Sequence, residues 1–134
     1  MTSPRIIQLP RFLDHRGNLS VIEQFKDIPF EIKRAYWVYD VPGGEEREGH
    51  AYRVNEEFIV ALSGSFDIIV ESPEGSVTSY SLNRSYYGLY IPSRHWRVLT
   101  NFSTNSLALV LASTRYNDED YILSLSEFRK FVVS

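Results

Sequence analysis

The residues best suited to moving a proton lie between Gly44 and Gly64. The chain reads Gly44, five residues, His50-Ala51-Tyr52, four residues, Glu57, six residues, Gly64. Imidazole titrates near working pH, so His50 suits general-base chemistry at carbon. Side chains two apart on a strand face the same way, so His50 and Tyr52 are expected to point together into a barrel, with Glu57 joining them across a turn. A phenol at Tyr52 donates to a developing oxyanion or relays a proton, but it is a poor base. Ser79, Ser113 and the other serines have no His/Asp partner at a spacing that would activate a nucleophile. No Gly-rich phosphate loop is present, and Asn101-Phe-Ser is read as a chance match to a glycosylation acceptor.

Short β-rich segments are available to position these groups. They are expected at Arg5–Leu9, Asn18–Gln24, Lys33–Asp40, Phe58–Leu62, Phe66–Glu71, Val77–Leu82, Tyr87–Ile91, Arg97–Thr100 and Ser106–Ser113. His15-Arg16-Gly17, Pro42-Gly43-Gly44, Ser63-Gly64-Ser65 and Pro73-Glu74-Gly75 place Gly or Pro where the chain must reverse. Such short connections favour antiparallel pairing in a barrel. After Asn117-Asp-Glu-Asp120, which offers capping side chains, Ile122, Leu125, Phe128 and Phe131 fall close to helical spacing, so one or two helical turns are expected over Tyr121–Val133.

With 134 residues and no internal repeat or linker, the chain is expected to form one domain over 1–134. It contains no cysteine, which excludes disulfides and thiolate metal sites. The 14 basic and 17 acidic residues are mixed, without a Lys/Arg cluster to follow a nucleic-acid backbone, so no nucleic-acid partner is expected. No apolar run approaches a membrane span, and a signal peptide is not evident, so no membrane partner and a cytoplasmic location are expected. Nine Tyr, eight Phe and two Trp favour strands and can also stack on a base or sugar.

The spacing from Gly44 to Gly64 resembles the first signature of the cupin superfamily, with Tyr52 where the second His of a His-X-His pair would stand. A second signature falls on Pro92, Arg94, Arg97 and Asn101, with Arg97 in place of a metal-ligating His. A guanidinium at that corner repels a divalent cation. The chain more specifically resembles the sugar 3,4-ketoisomerases that act on dTDP-4-keto-6-deoxyglucose, relatives of the dTDP-sugar epimerases. The likeness rests on DHRGNLSVIE at 14–23, IPFEIKRAYWVYD at 28–40, GHAYR at 49–53, ALSGSFD at 61–67, GLYIP at 88–92 and LASTRYNDEDYI at 111–122.

This resemblance implies an all-β, RmlC-like cupin jelly roll with a short C-terminal helical segment. It also implies a cofactor-free isomerase that moves a carbonyl from C4 to C3 of a dTDP-linked 4-keto-6-deoxyhexose through an enediol(ate). His50 would be the base, with Tyr52 and Tyr36 at the sugar, and Arg16, Arg53, Glu57 and Arg97 binding substrate. A homodimer follows from the same likeness, with N-terminal strands around Ile6-Ile7 exchanged between subunits. The chain departs from the family pattern at Tyr52, at Glu57 where Gln is common, and at Asp67 where Arg is common. Alternatives stand beside these roles: Arg16 as a surface partner of Asp14 or Glu23, Tyr36 as core, and His15, His50 or His95 as structural histidines. Two other functions also remain open, a nucleotide-sugar or carbohydrate-binding cupin without turnover and a metal cupin using His50, Glu57 and His95.

Overall fold

A computed structural model of the chain describes residues 2–134, the side chain of Glu48 excepted. The strands are β1 (Arg5–Gln8), β2 (Arg11–Phe12), β3 (Leu19–Ser20), β4 (Arg34–Tyr39), β5 (Arg47–Tyr52), β6 (Glu57–Ser63), β7 (Phe66–Glu71), β8 (Val77–Leu82), β9 (Tyr87–Ile91), β10 (Trp96–Thr100), β11 (Leu107–Ala112) and β12 (Tyr121–Ile122). The helix α1 spans Leu125–Val133. Two five-stranded sheets face each other, in the orders β1-β9-β6-β11-β4 and β12-β5-β10-β7-β8, while β2 and β3 form a separate hairpin. Among the described residues no helix is long and apolar enough to cross a membrane.

Alternation on the strands divides the interior. On β4, Arg34, Tyr36 and Val38 are partly buried, whereas Ala35, Trp37 and Tyr39 are exposed. The space between the sheets is filled by Ile59 and Ala61 of β6, Phe66, Ile68 and Val70 of β7, Leu99 of β10 and Val110 of β11. Phe66 stacks on Phe102 with centroids 5.1 Å apart, a geometry that adds roughly 0.5–1.5 kcal/mol to the area buried. Strand β6 is covered on both faces, because Phe58 and Val60 turn the other way to meet Ile28, Phe30 and Tyr90. That double burial is why the strand reads as a continuous apolar run. A third cluster joins Ala51 and Ile122 to Phe128 of α1, fastening the C-terminal segment to the back of β5.

The sequence-derived strands hold at Phe66–Glu71, Val77–Leu82 and Tyr87–Ile91, and five others shift by one residue at one or both ends. Two expectations are corrected. Asn18–Gln24 is a strand only at Leu19–Ser20; beyond it, Gln24 makes an isolated bridge to Ile28, and its side-chain oxygen accepts from the Ile32 amide at 3.0 Å. The helix starts at Leu125 and not at Tyr121, because Tyr121 and Ile122 pair with Tyr52 and Ala51 of β5. Asn117 accordingly caps a single 3₁₀ turn at Asp118–Asp120, and Ser124 caps α1 by accepting from the Glu127 amide at 3.3 Å. Strand β5, REGHAY, has no apolar run and is absent from the β-rich segments above, although His50 and Tyr52 do share one strand as expected.

Candidate functional site

Strands from both sheets bring Tyr36, His50, Tyr52, Glu57 and Arg97 together. Tyr36 comes from β4, His50 and Tyr52 from β5, Glu57 from the first position of β6, and Arg97 from β10, where it lies opposite His50 in register. Tyr36, His50 and Arg97 line a cavity of about 380 Å³ whose walls also include Arg47 and Leu123.

The cluster is built around the Glu57 carboxylate, which is 1% exposed, beside the 4% exposed Arg97. Arg97 donates from Nε to Oε1 at 2.9 Å and from Nη2 to Oε2 at 3.1 Å. The same oxygen, Oε2, accepts from the hydroxyl of Tyr36 at 2.5 Å and from that of Tyr52 at 3.1 Å. Arg97 Nη2 also donates to the Tyr36 oxygen at 3.0 Å. Burial alone would raise the pKa of Glu57, but the charge and hydrogen bonds of Arg97, helped by Tyr36, outweigh it and hold the carboxyl below its ordinary range. Burial together with the facing carboxylate pushes both phenols upward, so Tyr36 and Tyr52 stay protonated donors.

Tyr52 connects this buried pair to the imidazole. Its hydroxyl lies 3.0 Å from His50 Nε2, with the two rings edge to face at a centroid distance of 5.0 Å. A carboxylate, a phenol and an imidazole therefore form one chain of contacts, and a positive imidazole favours the ionised form of Glu57. Such a chain can accept a proton at the imidazole and stabilise the resulting cation without burying uncompensated charge.

Gly49 makes this approach possible. A Cβ there would stand 2.6 Å from Val98 Cγ2 and 2.7 Å from Trp96 Cζ2. Gly49→Ala is expected to cost about 1–3 kcal/mol, as overpacking of a close contact does, and to lower turnover by displacing the adjacent His50. Chemical unfolding with parallel rate measurements on the folded fraction checks both effects.

The other sequence-derived residues lie elsewhere in the single chain. Arg16 sits on the exposed turn between β2 and β3 and makes a bidentate pair with Asp14, at 3.0 Å from Nε and 2.8 Å from Nη2. Arg53 donates to the Glu119 carbonyl at 3.3 Å and covers the ring of Phe131. It borders an open depression with Tyr116 and Asn117, not the cavity of His50. His95 is buried with Nδ1 2.9 Å from the Ser93 carbonyl oxygen. Among the described residues no three potential ligand side chains gather as a metal site.

Sequence reasoning missed Arg47 at the cavity wall. Plain alternation would put it on the face opposite His50, three residues away. The ladder pairs Arg97 with His50 but Leu99 with Arg47, so β5 carries one extra residue between these pairs. Such a bulge changes the phase of the strand and turns both side chains toward the cavity. No signal in the isolated sequence marks that bulge.

The sequence matches, over residues 2–133, the model of a family described as FdtA: WxcM-like, C-terminal. A curated relative, the TDP-4-oxo-6-deoxy-alpha-D-glucose-3,4-oxoisomerase of Aneurinibacillus thermoaerophilus, is 35% identical over 129 residues, which are 96% of this chain and 91% of that protein. The crystal structure of a 3,4-ketoisomerase from Helicobacter canadensis superposes with a TM-score of 0.94 at 36% identity, covering 100% of both chains. QdtA, a sugar 3,4-ketoisomerase from Thermoanaerobacterium thermosaccharolyticum solved in complex with TDP, gives 0.93 at 30% identity over 98% of this chain and 95% of that one. The fold alone extends to the RmlC epimerase of Mycobacterium tuberculosis, with a TM-score of 0.77 at 18% identity over 90% of this chain and 68% of that one. The architecture is thus the RmlC-like cupin jelly roll, with one short C-terminal helix.

Proposed function

The chain belongs to the FdtA family, described as WxcM-like, C-terminal, and on that premise we propose that it is a sugar 3,4-ketoisomerase acting on a TDP-linked 4-keto-6-deoxyhexose. The observation that carries the mechanism is the contact chain from Glu57 through Tyr52 to His50 beside the cavity. His50 removes the proton from C3, and the electron pair left behind forms the C3–C4 double bond of an enediolate whose charge rests on the C4 oxygen. Transfer of the C3 hydroxyl proton to the C4 oxygen and return of a proton to C4 leave the carbonyl at C3 and a hydroxyl at C4.

Each neighbour has a part in this step. Glu57 stabilises the imidazolium through Tyr52, which is the role left to a phenol where the family has a second histidine. Arg97, at the cavity wall, supplies a positive charge to the enediolate oxygen, and Tyr36 beside it supplies an O–H donor by turning its hydroxyl from Glu57 to that oxygen. No cofactor takes part in this scheme. Arg16 and Arg53 are assigned to the diphosphate, which suits the bidentate geometry of guanidinium.

Incubation with TDP-4-keto-6-deoxyglucose in deuterated water tests the reaction. The expected product is a 3-keto sugar with deuterium at C4. Saturable binding with an unchanged sugar spectrum would instead favour a binding cupin, the reading that the tyrosine at position 52 supports.

A cytoplasmic homodimer is the proposed form of the enzyme. Two features support it: β1 and β4 are the unpaired edges of the first sheet, and Trp37 and Tyr39 of β4 are 58% and 62% exposed. The ladder that β1 makes with β9 of its own chain can be made by the same residues between two chains. Sedimentation should therefore give twice the mass of the chain. Trp37→Asp, which puts a charge into the exposed apolar face, is expected to shift the population toward the monomer.

A further inference from the structure

We propose that Tyr121 is a positioning residue for the isomerisation, its ring fixing the imidazole of His50 and the phenol of Tyr52. The role rests on the ketoisomerase reading, but the contacts that suggest it are independent of substrate.

His50 and Tyr52 are neighbours on one face of one strand. A third ring packs against both of them. Tyr121 lies opposite Tyr52 in the β12–β5 pairing. Its centroid is 4.8 Å from that of Tyr52, at 61°, and 5.3 Å from that of His50, at 49°. With the His50–Tyr52 contact at 5.0 Å and 84°, the three rings form a closed set of edge and tilted contacts, all within the attractive range of aromatic pairs.

Tyr121 is itself held on both sides along the chain. On one side the carboxylate of Asp120 accepts from the amides of Val54 at 2.8 Å and Asn55 at 3.1 Å. On the other, Ile122 is buried against Ala51 and Phe128. Its hydroxyl accepts from Arg34 Nη1 at 3.4 Å, and the Arg34 guanidinium lies over the rings of Tyr36 and Tyr116 at 5.6 and 5.7 Å. Tyr121 is not among the residues lining the cavity. Like Tyr52, it stands behind the His50 that lines the cavity. A general base must be held to within about 0.5 Å and 10–20° of its productive geometry, and misplacement by about 1 Å can cost about 10²-fold.

The test compares Tyr121→Leu with Tyr121→Phe on TDP-4-keto-6-deoxyglucose and follows the side-chain NMR signals of the three histidines. Tyr121→Leu should lower kcat by about 10- to 100-fold with KM changed by no more than about threefold, and Tyr121→Phe, which keeps the ring, should restore most of that loss. The His50 ring signals should move in Tyr121→Leu while those of His15 and His95 stay in place. In the unaltered protein, nuclear Overhauser effects should join the His50 and Tyr121 rings, a measurement that needs no variant to fold.

Unchanged kcat in a folded Tyr121→Leu protein would overturn the proposal, as would the absence of those Overhauser effects. Tyr121→Phe no more active than Tyr121→Leu would also overturn it, because the hydroxyl and not the ring would then matter. Should the unaltered chain leave the sugar untouched, the isomerase reading fails by itself, and the Overhauser effects and His50 shifts still decide whether Tyr121 fixes the two rings.

Discussion

His50→Ala should slow exchange of the C3 proton of TDP-4-keto-6-deoxyglucose with solvent deuterium by about 10²- to 10⁴-fold, the range expected when a general base is lost. The loss should fall on kcat more than on KM, because the imidazole meets the sugar most strongly when the proton is in flight. The barrel should stay folded. His50 is only partly buried, and the carboxylate behind it keeps Arg97 and Tyr36 as partners when the imidazole goes. Exchange in deuterated water, read by proton NMR, measures the proton step directly even if product release limits turnover. Retained exchange in His50→Ala would assign the base to another residue. Tyr52 is the weaker alternative, because burial and the facing Glu57 carboxylate push its phenol above the ordinary tyrosine range.

The fold was more legible in the sequence than the site. Turn chemistry at Ser63-Gly64-Ser65 and Pro73-Glu74-Gly75 bounds strands that the structure contains, because Gly64 and Gly75 take the positive φ that these turns need and Pro fixes its own φ. Asn18–Gln24 differs for the opposite reason: Leu19, Val21 and Ile22 alternate poorly, and the side chains of Asp27 and Gln24 accept from the amides of Glu23 and Ile32, organising the segment as a loop.

Within the site, His50, Tyr52 and Glu57 could be grouped because they are close in sequence, and Arg97 because of the family spacing. Arg34, Arg47 and Tyr121 could not. Arg47 depends on a bulge and Tyr121 on a two-residue strand that local propensity would assign to the helix. Strand pairing is a non-local property, and a chain read in one dimension does not contain it. The same limit explains Arg16: the sequence allowed either a phosphate contact or a pair with Asp14, and in the single chain the pair with Asp14 is made.

Arg97→Met should be the most damaging substitution for stability, costing about 3–5 kcal/mol, because it leaves the Glu57 carboxylate buried without its cation. The double variant Glu57→Gln with Arg97→Met should recover much of that loss, since a neutral amide needs only hydrogen-bond partners and Tyr36 and Tyr52 remain nearby. The pH dependence separates this explanation from simple loss of packing. In the unaltered chain Glu57 titrates below its unfolded value. Its stabilising contribution is therefore complete above the ordinary glutamate range and is lost as pH falls through the lower folded pKa. In Arg97→Met the balance reverses: burial outweighs what Tyr36 and His50 still contribute, the folded pKa rises above the unfolded one, and stability declines as pH rises through that interval. The stability deficit of the variant should thus grow from pH 4 to pH 7, about the span between an ordinary glutamate and neutrality. Urea unfolding at several pH values measures it. A deficit independent of pH would mean that Arg97 fills space between the sheets and that the charge pairing at the heart of the site contributes little.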